Sequence, residues 1–351
     1  MNQNSLGDLF KNNANNLNLI RLLSAFAVIY GHASAVTGRG PSDIFLQLVG
    51  YKFIGGVAVD VFFLISGFLI TASAMSVNGL KYYIASRMLR IYPALILCIA
   101  ISTFILGPAM TSANTYWTDS RTWNYFLSNA SAFKTEYFLP GVFESLHDRA
   151  INGSLWSITV EVRLYIVIGI LALLNIIRYR ALFNVLFFSV IVFFYLLPEF
   201  SFIISPHESH RHVTLMFFLG VFAWVNRQEI PINPAILLVL VFFSASQHGA
   251  PGFDFLYCLL LAYSIIYLAF IPGLAWFNKV GDFSYGVYLY GWTSQQMIVY
   301  FFPHVSNFEN TIYASLIALA AAYFSWTFIE EPSLRLRHFF KINKDNSEIS
   351  K

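Results

Sequence analysis

Arg21 and His32 lie eleven residues apart in an otherwise almost wholly apolar run. Eleven residues is close to three helical turns, so both side chains share one helical face, about 16 Å apart along the axis. A guanidinium holds phosphate or carboxylate oxygens in a fork. An imidazole can take a proton from a hydroxyl or carry an acyl group. Asp60 opens the run Asp60-Val61-Phe62-Phe63-Leu64-Ile65-Ser66-Gly67-Phe68-Leu69, and a carboxylate there could orient such an imidazole and stabilise its charged form. Ser66-Gly67 lets a neighbouring helix or a ligand approach the backbone closely. Arg87 and Arg90 are three apart on one helical face, a spacing that suits phosphate. Glu161 and Arg163 point from different faces, so each needs its own partner. Ionisable residues inside membrane spans are costly and by default mark function. Plainer readings stand beside these: Arg21 snorkelling, His32 as a packing residue, Asp60 as a partner for Arg163 or a backbone cap, Glu161 as half of a structural ion pair, and Arg87 and Arg90 as a cytoplasmic anchor.

The elements that must position these residues follow from composition. Of 351 residues, 57% are apolar and only 11% are charged, against about 25% charged in soluble domains. So few charges could not cover a water-soluble globule of this size, which excludes soluble, disordered and nucleic-acid-binding readings. The net charge of +3 is scattered rather than clustered. The composition predicts an all-α polytopic transmembrane bundle.

Apolar runs predict about ten spans, near 17–37, 54–75, 91–108, 154–175, 182–198, 213–226, 233–247, 254–272, 283–303 and 311–330. With the N-terminus in the cytoplasm, 14 Lys and Arg fall on the inner side and 7 on the outer side, so both termini are expected to be cytoplasmic. The chain then divides into a polar segment 1–16, a membrane domain 17–337 and a cytoplasmic tail 338–351. A stretch at 109–153, read as non-helical and outer, interleaves Trp117, Trp123, Tyr116, Tyr125 and Tyr137 with Asp119, Glu136, Glu144 and Asp148. That pattern suits stacking on sugar rings and equally suits an interfacial aromatic belt. Cys98 and Cys258 sit in apolar runs and imply neither a disulfide nor a metal site. His207-Glu208-Ser209-His210-Arg211-His212 offers metal-ligand types, but reads as a water-facing outer loop. No metal is expected.

Together these segments resemble the acyltransferase-3 family of integral-membrane acyltransferases, over about residues 17–337 and in the family's order. Arg21 and His32 fit its Arg-x10-His motif, and Asp60 to Leu69 its Asp-x-Phe-Phe-x-x-Ser-Gly-Phe-Leu stretch. Arg87 and Arg90 fit Arg-x-x-Arg, while Trp156-Ser157, Glu161 and Tyr165 fit Trp-Ser-x-x-x-Glu-x-x-x-Tyr. Ser284-Tyr285, Tyr288-Leu289 and Glu330-x-Pro332 complete the set. Two positions depart from the pattern. Val162 stands where many members carry a second acid, and Gly291 where many carry His.

The resemblance implies a bacterial cytoplasmic-membrane enzyme that moves an acetyl group from acetyl-CoA to a hydroxyl of a cell-surface or lipid-linked glycan, such as O-antigen or exopolysaccharide. His32 would act as general base or acyl carrier, Asp60 would orient it, and Glu161 would serve acceptor binding or proton transfer. Arg21, Arg87 and Arg90 would hold donor phosphates, with Ser66 and Gly67 allowing the donor close approach. Partners would be the donor, the glycan, membrane lipids and polysaccharide-assembly proteins, with no nucleic acid. Rival readings are a transporter of a lipid-linked sugar or anion, an inert scaffold of an assembly complex, and the same chemistry with another acyl group such as succinyl.

Overall fold

The computed structural model describes residues 5–11, 15–197, 199–200, 205–250 and 252–341. The fold is helical; among the described residues the β-structure amounts to an isolated bridge between Ser5 and Pro231. In chain order the helices used below are α1 Leu17–Thr37, α2 Ile54–Ala74, α3 Gly79–Ile101, α4 Ser120–Ser131, α5 Leu155–Leu173, α6 Arg180–Leu196, α7 Glu208–Val225, α8 Pro234–Ser246, α9 Phe253–Ala269, α10 Ser284–Phe301 and α11 Asn307–Ser325. The apolar segments read from the sequence fall on α1–α3 and α5–α11. Among the described residues, five helical runs are long and apolar enough to cross a membrane: Leu17–Thr37, Ile54–Ala74, Gly79–Met110, Leu155–Leu173 and Asn307–Phe340.

Two sequence boundaries change. The third apolar segment was expected to begin near residue 91, but α3 starts at Gly79, so Arg87 and Arg90 lie inside the helix. Apolarity marks where a helix is greasy, not where its backbone hydrogen bonding begins. The stretch 109–153, expected to be non-helical, contains α4. Asp119 caps that helix by accepting from the Arg121 N–H, and α4 is amphipathic rather than uniformly apolar, so a hydropathy reading passes over it.

The chain divides into two compact units, Met1–Ser24 with Ala58–Met75 and Ile170–Asp282, and Ala25–Val57 with Ser76–Gly169 and Phe283–Lys351. In the first unit, Leu6, Phe68 and Ala223 form a buried core joined by Phe10 and Trp224. Here α2 and α7 touch backbone to backbone. A Cβ on Gly67 would lie 2.0 Å from the Phe217 carbonyl oxygen, and one on Gly220 would lie 2.1 Å from that of Leu64. Only glycine permits this approach.

The second unit is built around α10, which is buried without a break from Ser284 to Gln296. A helix buried on all sides needs partners on all sides. It turns back along α11, whose start is closed by a capping box between Ser306 and Glu309. The segment 148–152 is stitched onto α10 through backbone carbonyls. Gln296 and Trp292 donate to the Ala150 carbonyl, Thr293 donates to that of Ile151, and Asn152 donates to that of Leu289.

Two π-helical turns interrupt long helices in this unit, at Ser102–Leu106 and Trp326–Glu330. Each inserts a residue into the ladder and redirects the side chains that follow, a device common near functional sites. At the first turn, Tyr116 donates to the Thr103 carbonyl at 2.7 Å.

Candidate active site

His32 is half-buried on α1, five residues before the helix ends. Its Nδ1 lies 2.8 Å from the Val28 carbonyl oxygen, one turn earlier. A carbonyl only accepts, so Nδ1 carries the proton, and the neutral ring keeps its lone pair on Nε2. Two aromatic edges hold the ring. Phe53 stands T-shaped to it at 5.2 Å and Trp292 at 5.1 Å between centroids. Trp292 is fixed in turn through its Nε1 bond to Ala150. Gly31 and Gly55 bring the start of α2 against α1, because a Cβ on Gly31 would meet the Gly55 nitrogen at 2.4 Å. Asp43 accepts from the Ile54 N–H at 2.7 Å and so anchors that end of α2. Asp148, in the 109–153 stretch, is within electrostatic reach of His32.

A second group in the same unit joins residues from several helices. Arg90 meets Glu330 at 3.6 Å, with side chains 13% and 1% exposed. Its guanidinium also lies over the rings of Tyr285 and Trp326. Glu330 arrives at the end of the second π-turn and accepts from Ser325 at 3.0 Å. Glu161 accepts from the Tyr165 hydroxyl at 2.6 Å. Arg87 lies over the Tyr165 ring at 5.9 Å, and its Nε is buried without a hydrogen-bond partner. Ser157 and Tyr288 share a hydrogen bond of 2.5 Å. Arg163 turns outward and donates to the Phe133 carbonyl at 2.7 Å.

In the first unit, Arg21 pairs with Asp282 at 2.5 Å. Asp60 is completely buried there. The sequence reading gives Asp60 to His32, but the hydrogen bonds described for it come from His212 Nε2 at 3.1 Å and the Tyr257 hydroxyl at 3.3 Å. Gly67 is occupied by the helix contact with Phe217.

In the 109–153 stretch, Trp117 and Trp123 are 47% and 44% exposed. Trp117 stacks on Phe104, and the Trp123 Nε1 donates to the Trp117 carbonyl at 3.0 Å. Phe104 thus lies against one face of Trp117, and both indoles remain partly exposed. Asp119 is held below the usual carboxyl range by the Arg121 guanidinium.

The second unit thus holds an imidazole whose Nδ1 faces a backbone carbonyl and an arginine whose buried Nε has no hydrogen-bond partner. Comparison with known proteins decides the family. The family model described as an acyltransferase domain matches residues 14–330. The chain belongs to the acyltransferase-3 family. A protein named O-acetyl transferase from Shigella phage Sf6 is 26% identical over 331 residues, covering 89% of this chain and 93% of its own. Nodulation protein 10 of Rhizobium leguminosarum bv. viciae is 26% identical over 367 residues, covering 92% and 94%. An uncharacterized protein of Haemophilus influenzae is 30% identical over 154 residues, covering 41% and 60%. No solved structure matches. The chain is thus a membrane protein and an acyltransferase that transfers groups other than aminoacyl groups.

The acyltransferase-3 motifs are far apart in sequence, yet four of them converge in the second unit: Arg-x-x-Arg, the Trp-Ser to Tyr165 pattern, Ser284-Tyr285 and Glu330-x-Pro332. Tyr285 lies within electrostatic reach of Glu330, Glu161 and Arg90 together. Sequence reasoning missed Phe53, Trp292 and Asp148 around His32, and His212 and Tyr257 around Asp60. A signal existed for Trp292, which follows the Gly291 position where many acyltransferase-3 members carry His. For His212 the signal was the metal-ligand types of its hexapeptide, which was read as a water-facing loop rather than as part of α7.

Proposed function

We propose that this chain moves an acetyl group from acetyl-CoA to a hydroxyl of a cell-surface or lipid-linked glycan in the bacterial cytoplasmic membrane. The observation that carries the reading is the fixed tautomer of His32, with Nδ1–H spent on Val28 and Nε2 left as a base. The name of the phage relative, O-acetyl transferase, supports acetyl as the group transferred.

In this mechanism His32 Nε2 takes the proton of the acceptor hydroxyl while that oxygen bonds to the thioester carbonyl carbon. The carbon–sulfur bond then breaks, and the imidazolium returns the proton to the departing sulfur. The products are an ester and a free thiol. Proton transfer of this kind contributes about 10²–10⁴-fold in rate. Phe53 and Trp292 keep the ring in place and exclude water from one side of it. The buried, unsatisfied Nε of Arg87 fits an anionic oxygen, and we assign it to the donor's phosphates. Arg90, steadied by Glu330, would serve the same task. The partly exposed rings of Trp117 and Trp123 suit the acceptor sugar. The helices would form about ten spans with both termini cytoplasmic, as the Lys and Arg asymmetry supports.

The test compares wild type and His32→Ala, expressed to equal levels in a strain carrying the acceptor glycan, with O-acetyl groups read by NMR. The reading predicts acetyl in the first strain and none in the second. Retained acetylation with His32→Ala would overturn it.

A further inference from the structure

The first unit holds a polar cluster that the proposed reaction does not use. Asp254 and Cys258 stand four residues apart on α9, one turn and one face. His212 reaches them from α7. One ligand atom from each of the three lies within 4.8 Å of the other two. Nδ1 of His212 is 3.5 Å from the Asp254 carboxylate, and Nε2 is 3.9 Å from the Cys258 sulfur. Nε2 is also 3.1 Å from the carboxylate of Asp60, which is 0% exposed and takes a further hydrogen bond from Tyr257.

Each donor type here is one that a borderline divalent ion accepts: an imidazole nitrogen, a thiolate and a carboxylate oxygen. Ligands about 2.0–2.3 Å from one tetrahedral ion stand about 3.3–3.7 Å from one another. One nitrogen alone binds the ion: with Nδ1 as the ligand the Asp254 oxygen at 3.5 Å already lies in that range, while the 3.9 Å contact of Cys258 is to Nε2, so the imidazole or the thiolate must move before both reach one ion. The outer arrangement matches too. A metal-bound histidine donates its other ring N–H to a carboxylate, which fixes its tautomer and raises its basicity. Asp60 is placed to accept that proton. A water-facing ion pair would need neither a buried thiol nor a second, fully buried carboxylate on the same imidazole.

We propose that His212, Asp254 and Cys258 bind a divalent metal ion of the zinc class, with Asp60 as the buried carboxylate that positions His212. The ion would tie α7 to α9, and through Asp60 to α2, leaving a fourth position for water. This runs against the sequence expectation of no metal, and it does not depend on the donor or acceptor of the acyl transfer.

The test uses the full-length protein purified in detergent, stripped with a chelator and then given Zn²⁺ or Co²⁺ alone. Elemental analysis after dialysis should find about one ion per chain. The cobalt form should show thiolate-to-cobalt charge-transfer absorption in the near ultraviolet. Cys258→Ser should abolish that absorption while Cys98→Ser keeps it, with size-exclusion profiles confirming that both remain folded. Asp60→Asn should keep the stoichiometry at saturating metal and weaken affinity about 10–100-fold. A folded wild type that retains no metal overturns the proposal, as does unchanged cobalt absorption in Cys258→Ser.

Discussion

Glu330 reaches Arg90 across the second unit because the helix that carries it is wound as a π-turn over Trp326–Glu330. Both side chains are nearly removed from solvent, 1% and 13% exposed. Breaking a buried pair by removing one partner leaves an uncompensated charge, at a cost of about 3–5 kcal/mol. Glu330→Ala should therefore lower thermal stability in detergent sharply. The double variant with Arg90→Ala should cost less than the sum of the two single ones. Strict additivity in that cycle would mean the two residues do not interact.

Gly55 tests the packing behind His32. A Cβ there would stand 2.6 Å from the Phe53 ring and 3.1 Å from the His32 ring. Gly55→Ala should tilt the imidazole and lower kcat with little change in KM for the donor. Misplacement of reacting groups by about an ångström can cost about 100-fold. If KM rises while kcat holds, the pocket around Gly55 serves binding rather than catalysis.

The buried Nε of Arg87 lacks a hydrogen-bond partner. If it holds donor phosphate, Arg87→Ala should raise KM for acetyl-CoA by one to two powers of ten, since a charged hydrogen bond contributes about 1.5–3 kcal/mol. Arg87→Lys should recover only part of the loss, because an ammonium lacks the planar fork. Donor KM values that do not move in either variant would remove Arg87 from the site.

Gly67 separates packing from ligand contact. With the Phe217 carbonyl 2.0 Å from any Cβ, Gly67→Ala must push α2 from α7. Overpacking of this kind costs about 1–3 kcal/mol. The expected result is a lower unfolding temperature with the donor KM of the surviving protein unchanged. A raised KM at unchanged stability would instead assign Gly67 to the donor.

The cap of α4 predicts a pH dependence. The Arg121 guanidinium, and then its backbone N–H, hold the Asp119 carboxyl below the usual range. A group whose folded pKa is depressed stabilises the fold above its unfolded pKa, and that contribution fades as pH falls through the folded value. Amide exchange in Ser120–Ser131 should therefore quicken in acid, relative to the intrinsic rate, as the carboxyl protonates. Asp119→Ala should be fast already at neutral pH and should show no further acid step.

The sequence alone determined the solvent and the building unit. With 11% charged residues, the chain cannot face water throughout, and in a bilayer the backbone must satisfy its own hydrogen bonds, so helices follow. Helical period also put Arg21 and His32 on one face, and the ordered motifs pointed to the family that the comparison then established. What tertiary structure decided was the partner of each charge. Arg21 is paired with Asp282, Arg90 with Glu330 and Asp60 with His212, over separations that no local periodicity encodes. The π-turns and the glycine contacts belong to the same class. They depend on how backbones cross, and a hydropathy pattern records only which side chains avoid water. Hence the sequence named the ionisable residues inside the membrane, and the packing of helices assigned their neighbours.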